Sequence, residues 1–387
     1  MNFAAPIPQT YASLYFKGLG ADDFILSVIG FSGTIAIALV QFPGGYLADR
    51  HGRRWLVFTM TFGVALSYFF YIIAPTWQFI VIGAMMQNFC LLYQPALFAI
   101  MLDSVAPENR GAGFTFQSVV TNLASIPASL IAGFLVLTLE LDIGMRIAYT
   151  IVMVFFFVAA ILRVKLKETL PQNSGNTRPN FLNALREYPK AVKEGLQVWK
   201  QVPKATFYLF IASSGMSSLL ISCYIYFVVY AVEILKLQQF QWALVMAFTS
   251  MSIAIPTIIA GQKMDRTGRK HPLIIGFLLY IPAMLIFLNA NSTTIFAAFF
   301  FFGLGQTLHW TSYQSLIGDL TPRNLRGKVV GCSQFFMYIS QALIQLVIGA
   351  LYAYVSPQLP FLLLAACSIP FSLLVFFKVF DPKTKEI

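Results

Sequence analysis

The chain has 387 residues, of which 58% are hydrophobic and 11% charged, with a formal net charge of +11. Soluble globular domains have about 45–50% apolar and about 25% charged residues. The composition, with a mean hydropathy of +0.73, therefore excludes a soluble enzyme, a disordered chain and a nucleic-acid reader. The positive charge is then expected to report orientation in a membrane.

Apolar runs divide the chain into membrane helices. A helix needs about 20 apolar residues to cross about 30 Å of hydrocarbon. Runs bounded by charged residues or by Gly, Pro and Asn predict twelve helices. Helices 1 to 12 are predicted at about 1–17, 24–46, 55–74, 79–102, 112–138, 144–162, 205–231, 241–260, 272–289, 294–318, 328–354 and 359–379. The predicted fold class is an all-α polytopic membrane protein.

The basic residues orient these helices. Of the 26 Lys and Arg, all except Lys17, Arg146 and Lys236 follow even-numbered helices. Cytoplasmic loops carry such an excess, which predicts a multi-pass protein of the cell membrane with its central loop and C-terminus in the cytoplasm. Anionic lipid is the expected partner of this charge, and nucleic acid is not. Arg146, at the outer start of helix 6, is expected to snorkel.

The chain contains an internal repeat. Residues 45–54 read GYLADRHGRR and residues 261–270 read GQKMDRTGRK, at an offset of 216. The same offset relates Asp103 to Asp319, Arg110 to Arg326, and Gly133 to Gly349. Two six-helix halves in parallel repeat follow. The predicted domains are an N-terminal bundle at 1–162, a linker at 163–204, and a C-terminal bundle with a short tail at 205–387.

The linker carries its own periodicity. Between residues 181 and 201 apolar side chains recur at helical spacing among basic ones; they are Phe181, Leu185, Tyr188, Val192, Leu196 and Trp199. This pattern is typical of a helix on the inner membrane surface, kinked at Pro189. A solvated, partly disordered linker is the alternative.

These motifs resemble the major facilitator superfamily of secondary transporters. The pattern G-x-x-x-D-R-x-G-R-R/K follows helices 2 and 8, and D-x₆-R-G follows helices 4 and 10. The resemblance covers essentially the whole chain, and its loop motifs are nearest to the drug-efflux-like branch. It implies alternating-access transport of a small organic solute, with efflux as one candidate direction, by a monomer that has no enzymatic activity and no cofactor.

The resemblance also implies a gate at the cytoplasmic side. In this family the motif Gly packs helix 2 against helix 11, so Gly261 is expected to pack helix 8 against helix 5. Asp49 would pair with Arg110, and Asp265 with Arg326. The expected gating residues are Gly45, Asp49, Arg50, Gly52, Arg53, Arg54, Asp103, Arg110, Gly261, Asp265, Arg266, Gly268, Arg269, Lys270, Asp319 and Arg326. The alternative for the basic residues is a role as positive-inside anchors only.

Polar stripes on the helices predict a substrate cavity. Asn, Gln and His are nearly absent from helices 3, 6, 9 and 12. A polar group facing lipid costs about 2 kcal/mol or more, so those on the other helices should face inward. The predicted cavity residues are Gln87, Gln94, Asn122, Gln306, His309, Trp310, Tyr313, Gln334, Tyr338 and Gln341. Hydrogen bonding between helices is the alternative role for these residues.

The predicted cavity contains no acid. His309 is the one ionisable side chain deep in a predicted span, and it is either a proton carrier or a neutral hydrogen-bonding residue. Proton-coupled drug antiporters often have an Arg where this chain has Ala84, and a Gly-Pro pair in helix 5 where this chain has Pro127 one place early. A neutral or amphipathic solute therefore fits better than a strongly basic one.

The repeat also predicts where helix 1 should begin. Helix 7 begins near Ala205, and the offset places the start of helix 1 about ten residues before Met1. We expect either an upstream start of the reading frame or a truncated first helix.

Three other functions stay open. One is a proton-coupled multidrug exporter. The others are a transporter-like sensor and a lipid-handling protein or membrane enzyme. With three His, the chain offers neither a nucleophile with its base nor a metal-ligand cluster, which predicts no catalytic and no metal site.

Overall fold

The computed structural model describes residues 3–51, 53–94, 96–97, 100, 110–166, 197–322 and 325–381. Side chains are described outside 42–51, 110–119, 258–267 and 326–328. Within the described ranges every regular element is a helix. The prediction of an all-α protein is confirmed.

The N-terminal half contains six helices. They are α1, broken into Pro6–Gln9 and Ala12–Gly18; α2, Asp23–His51; α3, Arg53–Ile72; α4, Trp77–Cys90 with a 3₁₀ turn at Leu91–Tyr93; and α5 and α6, which together form Arg110–Arg163. Glu140 separates α5 from α6 because its φ of 63° is non-helical.

The C-terminal half repeats this arrangement. Its helices are α7, Lys204–Val229, extended by a π-helical turn at Tyr230–Ile234; α8, Gln239–Thr267; α9, Lys270–Leu288; α10, Thr294–Leu320; α11, Arg326–Tyr354; and α12, Leu359–Lys378. Twelve helices in the described chain agree with the twelve predicted spans.

The helix surfaces suit a lipid environment. Among the described residues, eight helical stretches are long and apolar enough to cross a membrane; one of them, Val120–Arg163, contains most of α5 and all of α6. Large apolar side chains are exposed on these stretches, with Leu137 and Ile161 each 65% exposed. Apolar surface of this extent marks contact with a membrane or another protein. The chain is a multi-pass membrane protein.

Among the described residues, two helix pairs pack closely across the interface between the halves, and they are related by the repeat. Gly133 of α5 packs on Ala243 of α8, where an added Cβ would lie 2.5 Å from the Ala243 Cβ. Gly349 of α11 packs on Ser27 of α2, which an added Cβ would overlap. Gly349 lies 216 residues after Gly133, and Ser27 lies 216 residues before Ala243. The small residues allow close helix approach, and the pseudo-two-fold repeat thus governs the interface.

Candidate functional site

An ion pair joins the two halves at one end of the bundle, here called the Lys17 end. The Lys17 Nζ lies 2.6 Å from the Asp23 Oδ1 and 2.6 Å from the Glu233 Oε2. Asp23 belongs to the same half as Lys17, whereas Glu233 belongs to the other half. Lys17 and Glu233 are equivalent positions of the repeat, at the offset of 216. Positions related by a two-fold axis touch each other only near that axis, so the pair marks the pseudo-two-fold axis.

Two tyrosines also join the halves at the same end. The Tyr11 hydroxyl donates to the Gln239 carbonyl oxygen at 2.5 Å, and the Tyr226 hydroxyl donates to the Asp23 carbonyl oxygen at 2.9 Å. Gln239 begins α8 and Asp23 begins α2, so each tyrosine binds the equivalent helix of the other half. The repeat relates the two bonds: Asp23 and Gln239 are equivalent positions, and Tyr226 lies one residue before the position equivalent to Tyr11.

The break in α1 supplies a further contact between the halves. At Tyr11 the backbone leaves the helix, with φ −129° and ψ 12°. The carbonyl of Thr10, beside this break, accepts a hydrogen bond from the Trp242 Nε1 at 3.0 Å. The Ser13 hydroxyl donates to the Ile225 carbonyl oxygen at 2.7 Å. Interrupted membrane helices are tolerated where other protein groups bind the freed backbone.

A pocket of about 290 Å³ lies deeper in the bundle than the Lys17 ion pair, and we call it the axial pocket. It is lined by α1, α2, α7 and α8 through Gln9, Thr10, Ala12, Ser13, Phe16, Leu26, Ile29, Gly30, Tyr224, Ile225, Val228, Trp242 and Met246. Four pairs among them differ by 216 positions; they are Gln9 with Ile225, Ala12 with Val228, Leu26 with Trp242, and Gly30 with Met246. A pocket lined by such pairs lies on the axis between the halves.

At the opposite end of the bundle, here called the Arg269 end, polar contacts join α9, α10 and the end of α12. The Arg269 guanidinium forms an ion pair with Asp319 at the end of α10. The Asp381 Oδ1 accepts hydrogen bonds from the backbone N–H groups of Arg269 and Lys270 at 3.0 and 3.1 Å. Asp381 thereby caps the start of α9, where backbone N–H groups lack helical partners.

Comparison with known proteins agrees with this architecture. The family model described as Major Facilitator Superfamily matches residues 2–288 and 254–387. The chain belongs to the major facilitator superfamily. It is 21% identical to an uncharacterized MFS-type transporter of Methanocaldococcus jannaschii, over 94% of this chain and 88% of that protein. It is 24% identical to another such transporter, YfiS of Bacillus subtilis, over 89% and 82%.

A solved structure shows the same fold. A POT family transporter in complex with 5-aminolevulinic acid superposes with a TM-score of 0.75 at 17% identity, over 97% of this chain and 93% of that one. The expected resemblance to the superfamily is thus confirmed. Assignment to its drug-efflux-like branch stays a prediction.

Part of the major facilitator motif lies outside the described structure. Gly52 and Asp103 are not among the described residues, and the side-chain surroundings of Gly45, Asp49, Arg50, Arg110, Gly261, Asp265, Arg266 and Arg326 are not described either. The expected pairs of Asp49 with Arg110 and of Asp265 with Arg326 therefore stay predictions. Arg53 and Arg54 begin α3. The structure does unite two predicted gating residues, Arg269 and Asp319.

Two other residues of the motif are fixed by the C-terminal end of the chain. The Lys270 Nζ donates to the Phe376 carbonyl oxygen at 2.7 Å. Gly268 has a φ of +86°, and a side chain there would also meet Asp381. Sequence reasoning missed Asp381. The available signal was an acid just after helix 12, at the same predicted side as the basic motif.

The predicted polar stripe of α11 faces α2. The Gln41 Nε2 donates to the Gln334 Oε1 at 2.6 Å. The Gln341 Nε2 and the Thr34 Oγ1 are 3.5 Å apart, and Thr34 donates to the Gln345 Oε1 at 3.2 Å. These amides hydrogen-bond between the halves, which is the interhelical role that the sequence left open for them.

Gln87 faces a neighbouring helix of its own half. Its Nε2 donates to the Tyr68 hydroxyl at 2.9 Å, and its Oε1 accepts from the Tyr71 hydroxyl at 3.1 Å. Both tyrosines belong to α3, and Tyr71 stacks on Tyr149 of α6 at 4.8 Å between ring centroids. The tyrosines of helices 3 and 6 were the missed signal, because the comparison between helices considered only Asn, Gln and His.

Two neighbouring predicted cavity residues of α10 differ in their exposure. His309 is buried and packs against α9, with its Nδ1 3.4 Å from the Tyr280 hydroxyl and its ring 4.7 Å from that of Phe277. Trp310, the next residue along the helix, is 48% exposed, and the cavity role of both residues stays a prediction. A helix face is about 100° wide, and the packing of α9 on α10 takes the His309 side of it.

The remaining predicted cavity residues have different surroundings. Gln94 is exposed, Asn122, Gln306 and Tyr338 are half-buried, and Tyr313 is buried. None of the ten predicted cavity residues is among the described residues that line the axial pocket. Gln9 was the available signal for that pocket, since it is an amide within helix 1, and it is exposed in the structure.

Arg146 contacts the end of α3, and its expected snorkelling stays a prediction. Its two terminal nitrogens donate to the carbonyl oxygens of Ile72 at 2.6 Å and Ala74 at 2.9 Å, and its Nε donates to Asp142. The last carbonyls of a helix have no helical N–H partner. Arg146 supplies it at the end of α3.

Proposed function

We propose that this protein carries a small organic solute across the cell membrane by alternating access, as a monomer surrounded by lipid and without catalytic chemistry. Membership of a superfamily of transporters supports transport. The axial pocket supplies a site between the two halves, and rocking of one half against the other exposes such a site to each side in turn. The domain boundaries at 162 and 204 are those of the proposed rigid halves.

The contacts at the Lys17 end carry this proposal. Lys17 with Glu233, Tyr11 with Gln239, and Tyr226 with Asp23 all cross between the halves, and all lie at one end. They close one access path to the pocket. A closure made of a few polar bonds and two small-residue contacts is readily reversible, because each such bond contributes about 0.5–1.5 kcal/mol net.

We assign the Lys17 end to the outer side of the membrane. The excess of Lys and Arg in even-numbered loops supports a cytoplasmic Arg269 end. The closed outer end then corresponds to a state that is prepared to open inward. The motif residues at the Arg269 end form the opposing gate, whose contacts would hold the outward-open state.

The lining of the axial pocket bears on the coupling of transport. No described side chain of the axial pocket is ionisable except the phenol of Tyr224, and His309 packs away from it. These features favour an uncoupled or indirectly coupled carrier over a proton-coupled multidrug exporter. We retain efflux as one of the two directions that a flux assay distinguishes.

Flux in proteoliposomes tests the function. Compounds that raise the thermal stability of the purified protein are loaded on one side, and their movement is measured with and without a pH gradient. Saturable flux that a Glu233→Gln variant alters supports the proposal. Binding without flux for every such compound contradicts it and favours a transporter-like sensor.

A further inference from the structure

We infer that the axial pocket binds an uncharged molecule that has an apolar body and a hydrogen-bonding group at one end. The identification of that molecule with the transported solute rests on the proposed function. The binding itself does not.

The size of the pocket limits the ligand. Pockets for small molecules have volumes of about 300–1,000 Å³, and the axial pocket has about 290 Å³. It therefore suits one compact molecule. A peptide or an extended lipid chain would exceed it while the Lys17 end is closed.

The two walls differ although the repeat relates them. The N-terminal half contributes Gln9, Ala12 and Gly30, which are polar or small, where the C-terminal half contributes Ile225, Val228 and Met246. Ala12 leaves space on one side, whereas the space beside Gly30 is occupied by the Gln345 and Ile225 side chains; apolar and sulfur-containing side chains line the other side. The apolar body of the ligand is accommodated against the C-terminal wall, where Met adapts readily to irregular and aromatic shapes.

Hydrogen bonding is available on the opposite side. Gln9 has both donors and an acceptor on its amide, and its exposed side chain lines the pocket. The hydroxyls of Thr10 and Ser13 already donate to the carbonyl oxygens of Pro6 and Ile225. Gln9 is therefore the group of the N-terminal wall that selects a hydroxyl, carbonyl or amide on the ligand.

Charge on the ligand is disfavoured. Among the described residues that line the pocket, none is an Asp, Glu, Lys, Arg or His. Lys17, which follows Phe16 of the lining, is bound by two carboxylates. A charged group taken out of water without a partner costs several kcal/mol. Attraction of a cation by the faces of Phe16, Tyr224 and Trp242 is the competing outcome, and the experiment separates the two.

Trp242 provides a readout within the pocket. The probes are 2-(4-bromophenyl)ethanol, the matched cation 2-(4-bromophenyl)ethylammonium and the matched anion 4-bromophenylacetate, since bromine quenches indole fluorescence on contact. Trp242 is retained as the one tryptophan by replacing the others with Phe; they are Trp55, Trp77, Trp199 and Trp310. A Trp242→Phe version of the full protein gives the background.

The expected result is saturable quenching by the alcohol, with an apparent affinity at least tenfold above that of either ion. Ala12→Phe and, from the other wall, Val228→Phe fill the pocket and should weaken quenching at least tenfold. Ala12→Ser is the matched control that leaves the volume nearly unchanged. Equal or tighter binding of the cation or anion overturns the inference, as does quenching that neither filled variant reduces.

The two proposals fail in distinguishable ways. Saturable quenching by the alcohol without flux of any compound contradicts transport and leaves the pocket inference intact. Saturable flux of a charged solute, without quenching by the alcohol, contradicts the pocket inference and leaves transport intact.

Discussion

Lys17 and Glu233 are equivalent positions of the two halves, 216 residues apart in the chain, and they form a 2.6 Å ion pair with each other. A two-fold axis would place identical residues there, and two lysines or two acids would repel. The repeat has instead diverged to opposite charges at its axis. Asp23, in the half that contains Lys17, binds the same ammonium group at 2.6 Å.

We expect Glu233→Gln to open the Lys17 end. The substitution removes an ion pair between the halves. Because both side chains are partly exposed, this pair contributes about 1 kcal/mol or less to the stability of the closed arrangement. An effect of that size shifts the open-to-closed ratio up to about fivefold. The measurement is the labelling rate of an Ala12→Cys reporter by an impermeant thiol reagent, after replacement of the four native cysteines by Ser.

Asp23→Asn is the control for that change. It removes the same charge from the same lysine, but its ion pair lies within one half. The labelling rate should stay within about twofold of the parent. Equal acceleration by both variants would mean that net charge, and not the bond between the halves, sets the equilibrium.

Removal of the two tyrosine hydroxyls should act in the same direction. Tyr11→Phe and Tyr226→Phe each delete one hydrogen bond between the halves, worth about 0.5–1.5 kcal/mol. The double variant should label faster than either single variant. Tyr15→Phe is the matched control, because the Tyr15 hydroxyl binds the Tyr71 carbonyl within one half; it should lower thermal stability without faster labelling.

Gly349 should be intolerant of larger residues. A side chain at Gly349 overlaps Ser27 of the other half, whereas no atom lies within 4 Å of a Cβ added at Gly331 of the same helix. Gly349→Val should therefore separate the halves at the Lys17 end and increase labelling at least fivefold. Gly331→Ala should be neutral or raise the melting temperature slightly, since Ala favours a helix over Gly by about 1 kcal/mol. Similar labelling rates and melting temperatures for the two variants would contradict the close contact between Gly349 and Ser27.

Loss of the Asp381 carboxylate should destabilise the start of α9. Asp381→Ala removes the acceptor for two backbone N–H groups, and loss of a cap costs about 0.5–2 kcal/mol. We expect a lower melting temperature and faster labelling of a cysteine placed at Ser315, beside Arg269. Asp381→Asn retains an acceptor oxygen and should show a smaller change. An unchanged melting temperature in the Ala variant would show that the cap is dispensable.

Gln87 tests the cavity role against the interhelical role. Gln87→Leu removes the partners of Tyr68 and Tyr71 and leaves their buried hydroxyls unsatisfied, at a cost of about 1–3 kcal/mol. Thermal stability should fall while the KM for solute flux stays within about twofold. Gln9→Leu, in the axial pocket, should show the reverse pattern. A raised KM in the Gln87 variant would instead indicate that Gln87 lines the solute cavity.

Much of the fold could be predicted from the chain alone. The helix count depends on runs of apolar residues, which any helix must have in order to cross hydrocarbon. The repeat is visible because motifs such as Gly133 and Gly349 recur at one offset, and the structure places both at contacts between the halves. Apolar runs and the repeat offset are properties of the linear sequence, so they can be recognised without knowing which residues contact each other in the fold.

Assignment of the cavity residues requires the rotation of each helix about its axis, which the sequence does not provide. His309 and Gln87 satisfy every sequence criterion for a cavity residue, yet α9 and α3 cover them with Tyr280, Tyr68 and Tyr71. Conversely, the residues that line the axial pocket are mostly apolar, so the sequence does not distinguish them from residues that pack in the hydrophobic core.

The sequence by itself determined that the chain is a membrane protein of twelve helices in two repeated halves. Only the tertiary structure decided which residues meet on the axis. Contact between Lys17 and Glu233, and the pocket between Gln9 and Ile225, depend on the relative tilt of the two halves. That tilt is set by packing across their interface, and residues so distant in the chain do not encode it locally.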